Sequence, residues 1–219
     1  MNFMASLISE QLKEQQRGIA AALVQPLWQQ ASSFAAQMHA PEVHYHDMPF
    51  PEVPDSYAQA TRVALTLAGL YHCEDPHVLA SALLHNVLEK TEVNFGDLSE
   101  AFGHLVALRV QRLTPEAGAD EELMLRRLYV CDWQTRIIKL ADAADKLEDE
   151  SAPLELRIEE AERVLPLAYG DDHCILRAHR HLTSLLENAR VEVAIMSGFT
   201  SRNSGVEAKA GGKHAYFTA

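Results

Sequence analysis

The chain has 219 residues, 47% of them hydrophobic, and a formal charge of −12 from 31 acidic against 19 basic side chains. That length and composition fit one globular domain with short appendages. A net-acidic surface repels phosphate backbones and anionic headgroups, so general nucleic-acid and membrane binding are excluded, while a small phosphorylated ligand in a local basic pocket is not. Cys73, Cys131 and Cys174 are odd in number and not at metal-ligand spacing, which reads as reduced thiols in a cytoplasmic protein. No run of about 18 apolar residues is present, and Met1 to Gln11 lacks a signal-peptide pattern.

In chain order, Leu7, Ile8, Leu12, Ile19 and Leu23 form a partial helical stripe over 6–24. A second helix is expected over 26–39, with Leu27, Ala31, Phe34, Ala35 and Met38 on one side. Pro41, Pro49, Pro51 and Pro54 make 40–54 a loop. Helices follow at 55–70 and 76–90, the latter started by Asp75-Pro76, a capping carboxylate and a proline at the first helical position. Further helices are expected at 96–102, 104–113, 120–130, 132–149, 153–168 and 171–196. No segment alternates with period two convincingly; 136–140 comes nearest and continues a helical stripe. The fold class is therefore all-α. Residues 1–25 read as an N-terminal helical extension able to offer a dimer contact, 26–196 as the main domain, and 197–219, with four glycines, as a flexible tail.

The stretch Ala82-Leu83-Leu84-His85-Asn86-Val87-Leu88-Glu89-Lys90-Thr91 carries polar groups beside an apolar stripe. In a continuous helix His85 and Glu89, four apart, share a face. Phe102-Gly103-His104-Leu105-Val106-Ala107-Leu108 follows, and then Ile138-Lys139-Leu140-Ala141-Asp142. These three patterns, in this order, resemble the hydrolase domain of RelA/SpoT-type alarmone enzymes, a branch of the HD phosphohydrolase superfamily. Its corresponding patterns are ALLHDVVEDT, FGxxVAxLV and IKLADRLHN. The resemblance covers about residues 28–190 and implies an HD-domain helical bundle. It also implies a metal-dependent reaction that removes the 3′-pyrophosphate from (p)ppGpp, with Mn2+ or another divalent ion polarising the phosphoryl group and activating water.

The resemblance assigns the metal to His85, Asn86, Asp142 and Gln59, and a Glu-Asp pair to Glu89 and Lys90. His85 and Asp142 keep the family's residue types. Asn86 replaces aspartate, Gln59 replaces histidine, Lys90 replaces aspartate and Lys146 replaces asparagine. His39 matches a family position outside the metal set. Asn86 and Gln59 offer only neutral carbonyl oxygens to a dication that prefers imidazole and carboxylate. One charge pair at about 4 Å is worth about 4 kcal/mol at an effective dielectric near 20, and a dication doubles it. The expected cofactor is therefore none, with Mn2+ or another divalent metal required if the site functions.

Two readings of the lysines stay open. Lys90, Lys139 and Lys146 could bind a phosphate of a guanine nucleotide without metal, or they pair with Asp142, Asp145 and Glu89 in an inert scaffold. The loop histidines His44 and His46 with Asp47 could rebuild a metal site or be solvated. The expected function is a non-catalytic relative of an alarmone hydrolase, regulatory or binding a nucleotide or a protein. The alternatives are an active metal-dependent phosphohydrolase and a purely structural helix-packing module.

Overall fold

The computed structural model describes residues 26–40, 54–116, 118 and 120–210, with side chains described as far as 196. The expected helix 6–24, the loop 41–53 with His44, His46 and Asp47, and residues 211–219 lie outside the described residues. Among the described residues every regular element is helical, as the missing period-two pattern led us to expect. None is long and apolar enough to cross a membrane.

The helices are α1 (Leu27–His39), α2 (Asp55–Leu65), α3 (Pro76–Leu84), α4 (Val87–Lys90), α5 (Phe95–Phe102) and α6 (His104–Leu113). They continue as α7 (Glu121–Tyr129), α8 (Trp133–Glu148), α9 (Leu154–Val164) and α10 (His173–Ala210). A π-helical turn, Thr66–Leu70, extends α2, and a 3-10 turn, Leu165–Leu167, follows α9. Helix α10 runs to Ala210, past its expected end at 196.

Local chemistry sets most boundaries. Asp75 caps α3 by accepting the His77 N–H at 2.8 Å, with Pro76 in the first turn. Asn94 and Asp97 form a reciprocal capping box at the start of α5. Gly103 separates α5 from α6 at φ +83°, a conformation other residues rarely adopt. The sequence expectation of one helix over 76–90 needs correction. The chain turns at His85 and Asn86, with Asn86 at φ −105° and ψ 0°, and α4 starts afresh. Both residues keep right-handed backbone angles, and the break lies in the hydrogen-bond ladder, where the His85 N–H reaches the Ala82 carbonyl at 3.5 Å, three residues back.

The chain forms two compact units. Of the described residues, the first comprises 26–40, 54–64 and 73–116. In it α1 packs on α3, and α6 packs on α3 and α5, burying Ala31, Ala35, Leu84, Leu98 and Val110. Of the described residues, the second comprises 65–72, 118 and 120–210. There α8 packs against α9, α10 and the π-helical turn, and Leu67, Ile137, Leu140, Ile175 and Leu182 are fully buried. Full burial of such a side chain contributes about 1.5–3 kcal/mol.

Candidate functional site

In the first unit the chemistry gathers around Asn86. Its Nδ2 donates to the Ser56 carbonyl at 2.6 Å, so Oδ1 is the acceptor facing His39 Nε2 at 3.0 Å. The His39 Nε2 therefore carries the proton, and Nδ1 accepts the Ser56 hydroxyl at 3.1 Å. His39 continues the buried stripe of α1 after Ala31 and Ala35. Its imidazole is held below its ordinary pKa by burial, with His85 adding to the effect and the Asn86 hydrogen bond opposing it. Asn86 is itself only 5% exposed. Both ends of its amide are thus committed to protein partners.

His85 is half-buried, and its Nδ1 donates to the Ala82 carbonyl at 2.8 Å. That bond leaves the lone pair of neutral imidazole on Nε2, the usual state of a metal-binding histidine. Gln59 stands half-buried on α2. Glu89 and Lys90 do not lie on the helix of His85. They are exposed on α4 and pair with each other at 2.6 Å. An exposed pair of this kind contributes about 0–1 kcal/mol.

In the second unit α8 places Lys139, Asp142 and Lys146 at i, i+3 and i+7, one face of the helix. Asp142 Oδ2 receives Lys139 Nζ at 3.0 Å and Lys146 Nζ at 3.2 Å. Lys146 also reaches Glu160 of α9 at 3.3 Å. Glu160 is half-buried in this cluster. Burial disfavours the Lys146 ammonium, but the charges of Asp142 and Glu160 outweigh it and raise its pKa. Two ammonium groups and two carboxylates leave the cluster without net charge.

These residues do not fit a divalent metal. The Asn86 oxygen is taken by His39, and one Asp142 oxygen is shared by two cations. A dication at Asp142 would be repelled by the Lys146 ammonium, which lies 3.2 Å from Oδ2 and stands where the family pattern has a neutral asparagine. His85 alone keeps a favourable ligand orientation.

Two other features of the second unit include none of the residues expected from the sequence. Asp172, His173 and Cys174 bring a carboxylate, an imidazole and a thiol within 4.8 Å of one another. Asp172 there caps α10 through the Cys174 N–H at 2.8 Å, and the thiol is buried. A cavity of about 290 Å³ is lined by Leu147, Glu148, Glu150, Arg157, Asn188 and Glu192 among others. Its acidic lining disfavours a phosphate. The three cysteines are free thiols.

Sequence reasoning missed the partnership of His39 and Ser56 with Asn86. The signal was present in part: His39 lies four residues after Ala35 on an apolar stripe, where a histidine must find a partner.

No family model matches the chain. It is 30% identical over 121 residues to the guanosine-3′,5′-bis(diphosphate) 3′-pyrophosphohydrolase MESH1 of Danio rerio, which covers 53% of this chain and 65% of that protein. It is 33% identical over 79 residues to MESH1 of Drosophila melanogaster, covering 34% and 44%. The chain thus matches less than two thirds of the length of either relative. A solved structure described as a metazoan ortholog of SpoT that hydrolyzes ppGpp and plays a role in starvation responses superposes with a TM-score of 0.57 at 21% identity. The superposition covers 74% of this chain and 96% of that one. The resemblance to RelA/SpoT-type hydrolase domains is borne out, and the fold is the all-α HD-domain bundle.

Proposed function

We propose that this chain, built on the HD-domain fold and similar to alarmone pyrophosphohydrolases, is a non-catalytic regulatory protein of the cytoplasm that binds a guanine nucleotide such as ppGpp. One observation carries the reading. At the position of the family's metal-binding aspartate, Asn86 is neutral, buried and hydrogen-bonded at both ends to His39 and Ser56. An amide held this way supplies no charge for activating water, and its oxygen already accepts from His39. Gln59 and Lys90 weaken the hydrolytic set further, since an amide and an ammonium stand where the resemblance implies an imidazole and a carboxylate.

The test is paired. Purified chain is incubated with ppGpp and Mn2+ and assayed for release of pyrophosphate, and binding of ppGpp and GTP is measured by calorimetry with and without Mn2+. The expected result is binding that does not need metal, and no turnover. Manganese-dependent release of pyrophosphate would overturn the non-catalytic reading, and absence of heat in every titration would overturn the nucleotide-binding one.

A second reading, an active metal-dependent phosphohydrolase of (p)ppGpp or a related nucleotide, has the Nε2 lone pair of His85 in its favour. Elemental analysis of protein purified without chelator separates the two: stoichiometric manganese, iron or zinc supports the enzyme.

A further inference from the structure

We infer that Lys146 is the chain's own cation at Asp142, a fixed ammonium that balances this carboxylate and closes it to divalent metals. The inference rests on the non-catalytic reading above and gives it a physical cause separate from Asn86.

The geometry of α8 and α9 supports it. Asp142 is 5% exposed and Lys139 6%, so neither charge is stable there without a partner. Lys139 alone would neutralise Asp142. Lys146 nevertheless approaches the same Oδ2 at 3.2 Å and spans to Glu160 Oε1 at 3.3 Å. It therefore bridges a carboxylate of α8 to one of α9, and the cluster closes as two cations and two anions. A bridge of this kind is the structural work a metal ion does between carboxylates from separate helices. An ammonium does it with one charge, three donors and no open position for water. A divalent ion at Asp142 would have to displace Lys146 from two anions or share an oxygen with it, and both disrupt the closed cluster.

The test uses the full chain, with manganese binding read from loss of the free-ion electron paramagnetic resonance signal and stability read by thermal denaturation. Wild-type protein is expected to give the same manganese titration as Asp142→Asn. Lys146→Met, which keeps the apolar stem, is expected to melt lower and, with a competing positive charge removed, to bind manganese at least about tenfold more tightly. Adding Asp142→Asn to Lys146→Met should remove that gain. Lys146→Arg, which keeps the charge, should bind manganese no more tightly than wild type. Manganese that wild-type protein binds and Asp142→Asn loses would overturn the inference, as would Lys146→Met with unchanged affinity. If Lys146→Met does not fold, Lys146→Gln replaces it with the same readings. Turnover of ppGpp without added metal would refute the proposed function and leave this pairing intact. Manganese held by Asp142 would refute this inference whatever the nucleotide titrations give.

Discussion

The imidazole of His39 and the amide of Asn86 meet at 3.0 Å, joining the last residue of α1 to the turn between α3 and α4. The contact fixes a histidine tautomer and an amide orientation together, because Asn86 Nδ2 is already spent on the Ser56 carbonyl. The segment that resembles a hydrolytic motif is thus a point where three helices are pinned.

Asn86→Asp should therefore destabilise the chain, although it restores the family's residue. The new carboxylate oxygen would face the Ser56 carbonyl at the 2.6 Å site of a lost donor. The expected cost is about 1–3 kcal/mol at neutral pH, with the His39 pKa moving up towards the new charge. Urea unfolding gives the cost, and the histidine ring signals followed by NMR give the pKa. Unchanged stability together with an unmoved His39 titration would show that the contact does not hold in solution.

Acidification should weaken the fold through the same residue. Burial holds His39 below its ordinary value of 6.5, whereas the unfolded chain takes up the proton near that value. Between the two the unfolded state binds more protons. The contribution of His39 is thus complete above 6.5 and is lost as pH falls through the folded value. His181, bonded to the buried Tyr71 hydroxyl at 3.1 Å, is lowered by burial too and adds in the same sense. Urea midpoints measured from about pH 7 down to about pH 5 should fall, and His39→Gln should flatten part of that slope. An identical slope in the variant would place the proton uptake elsewhere.

Arg136 ties two carbonyls of the second unit together. Its Nη1 donates to the Leu167 carbonyl at 2.7 Å and the Tyr169 carbonyl at 2.9 Å, and its guanidinium lies 3.5 Å from the centroid of the Tyr169 ring. Arg136→Ala should cost about 3 kcal/mol, and Arg136→Lys should recover little of it, since an ammonium cannot reproduce the planar fork. Equilibrium unfolding in urea measures both. Full recovery by lysine would reduce the role of Arg136 to its charge.

Much of the fold could be read from residues in series. The stripe on α1, the Asp75-Pro76 start and the Gly103 break each follow from backbone preferences or from a period of 3.6. Those signals act over a few neighbours, so they survive without knowledge of the rest of the chain. The continuous helix expected over 76–90 is interrupted at His85 and Asn86, where the Asn86 side chain bonds His39 and Ser56, 47 and 30 residues away, partners that no local signal reveals.

By itself the sequence determined the helical class, the resemblance to alarmone hydrolases and the loss of ionisable groups at Asn86 and Gln59. The identity of a side chain fixes whether it can carry a charge. Only the tertiary structure decided which charges are already satisfied. It gave Lys90 to Glu89 at the surface, and Lys139 and Lys146 to the buried Asp142. Pairing depends on distance and burial, and both are set by how helices pack rather than by their order along the chain.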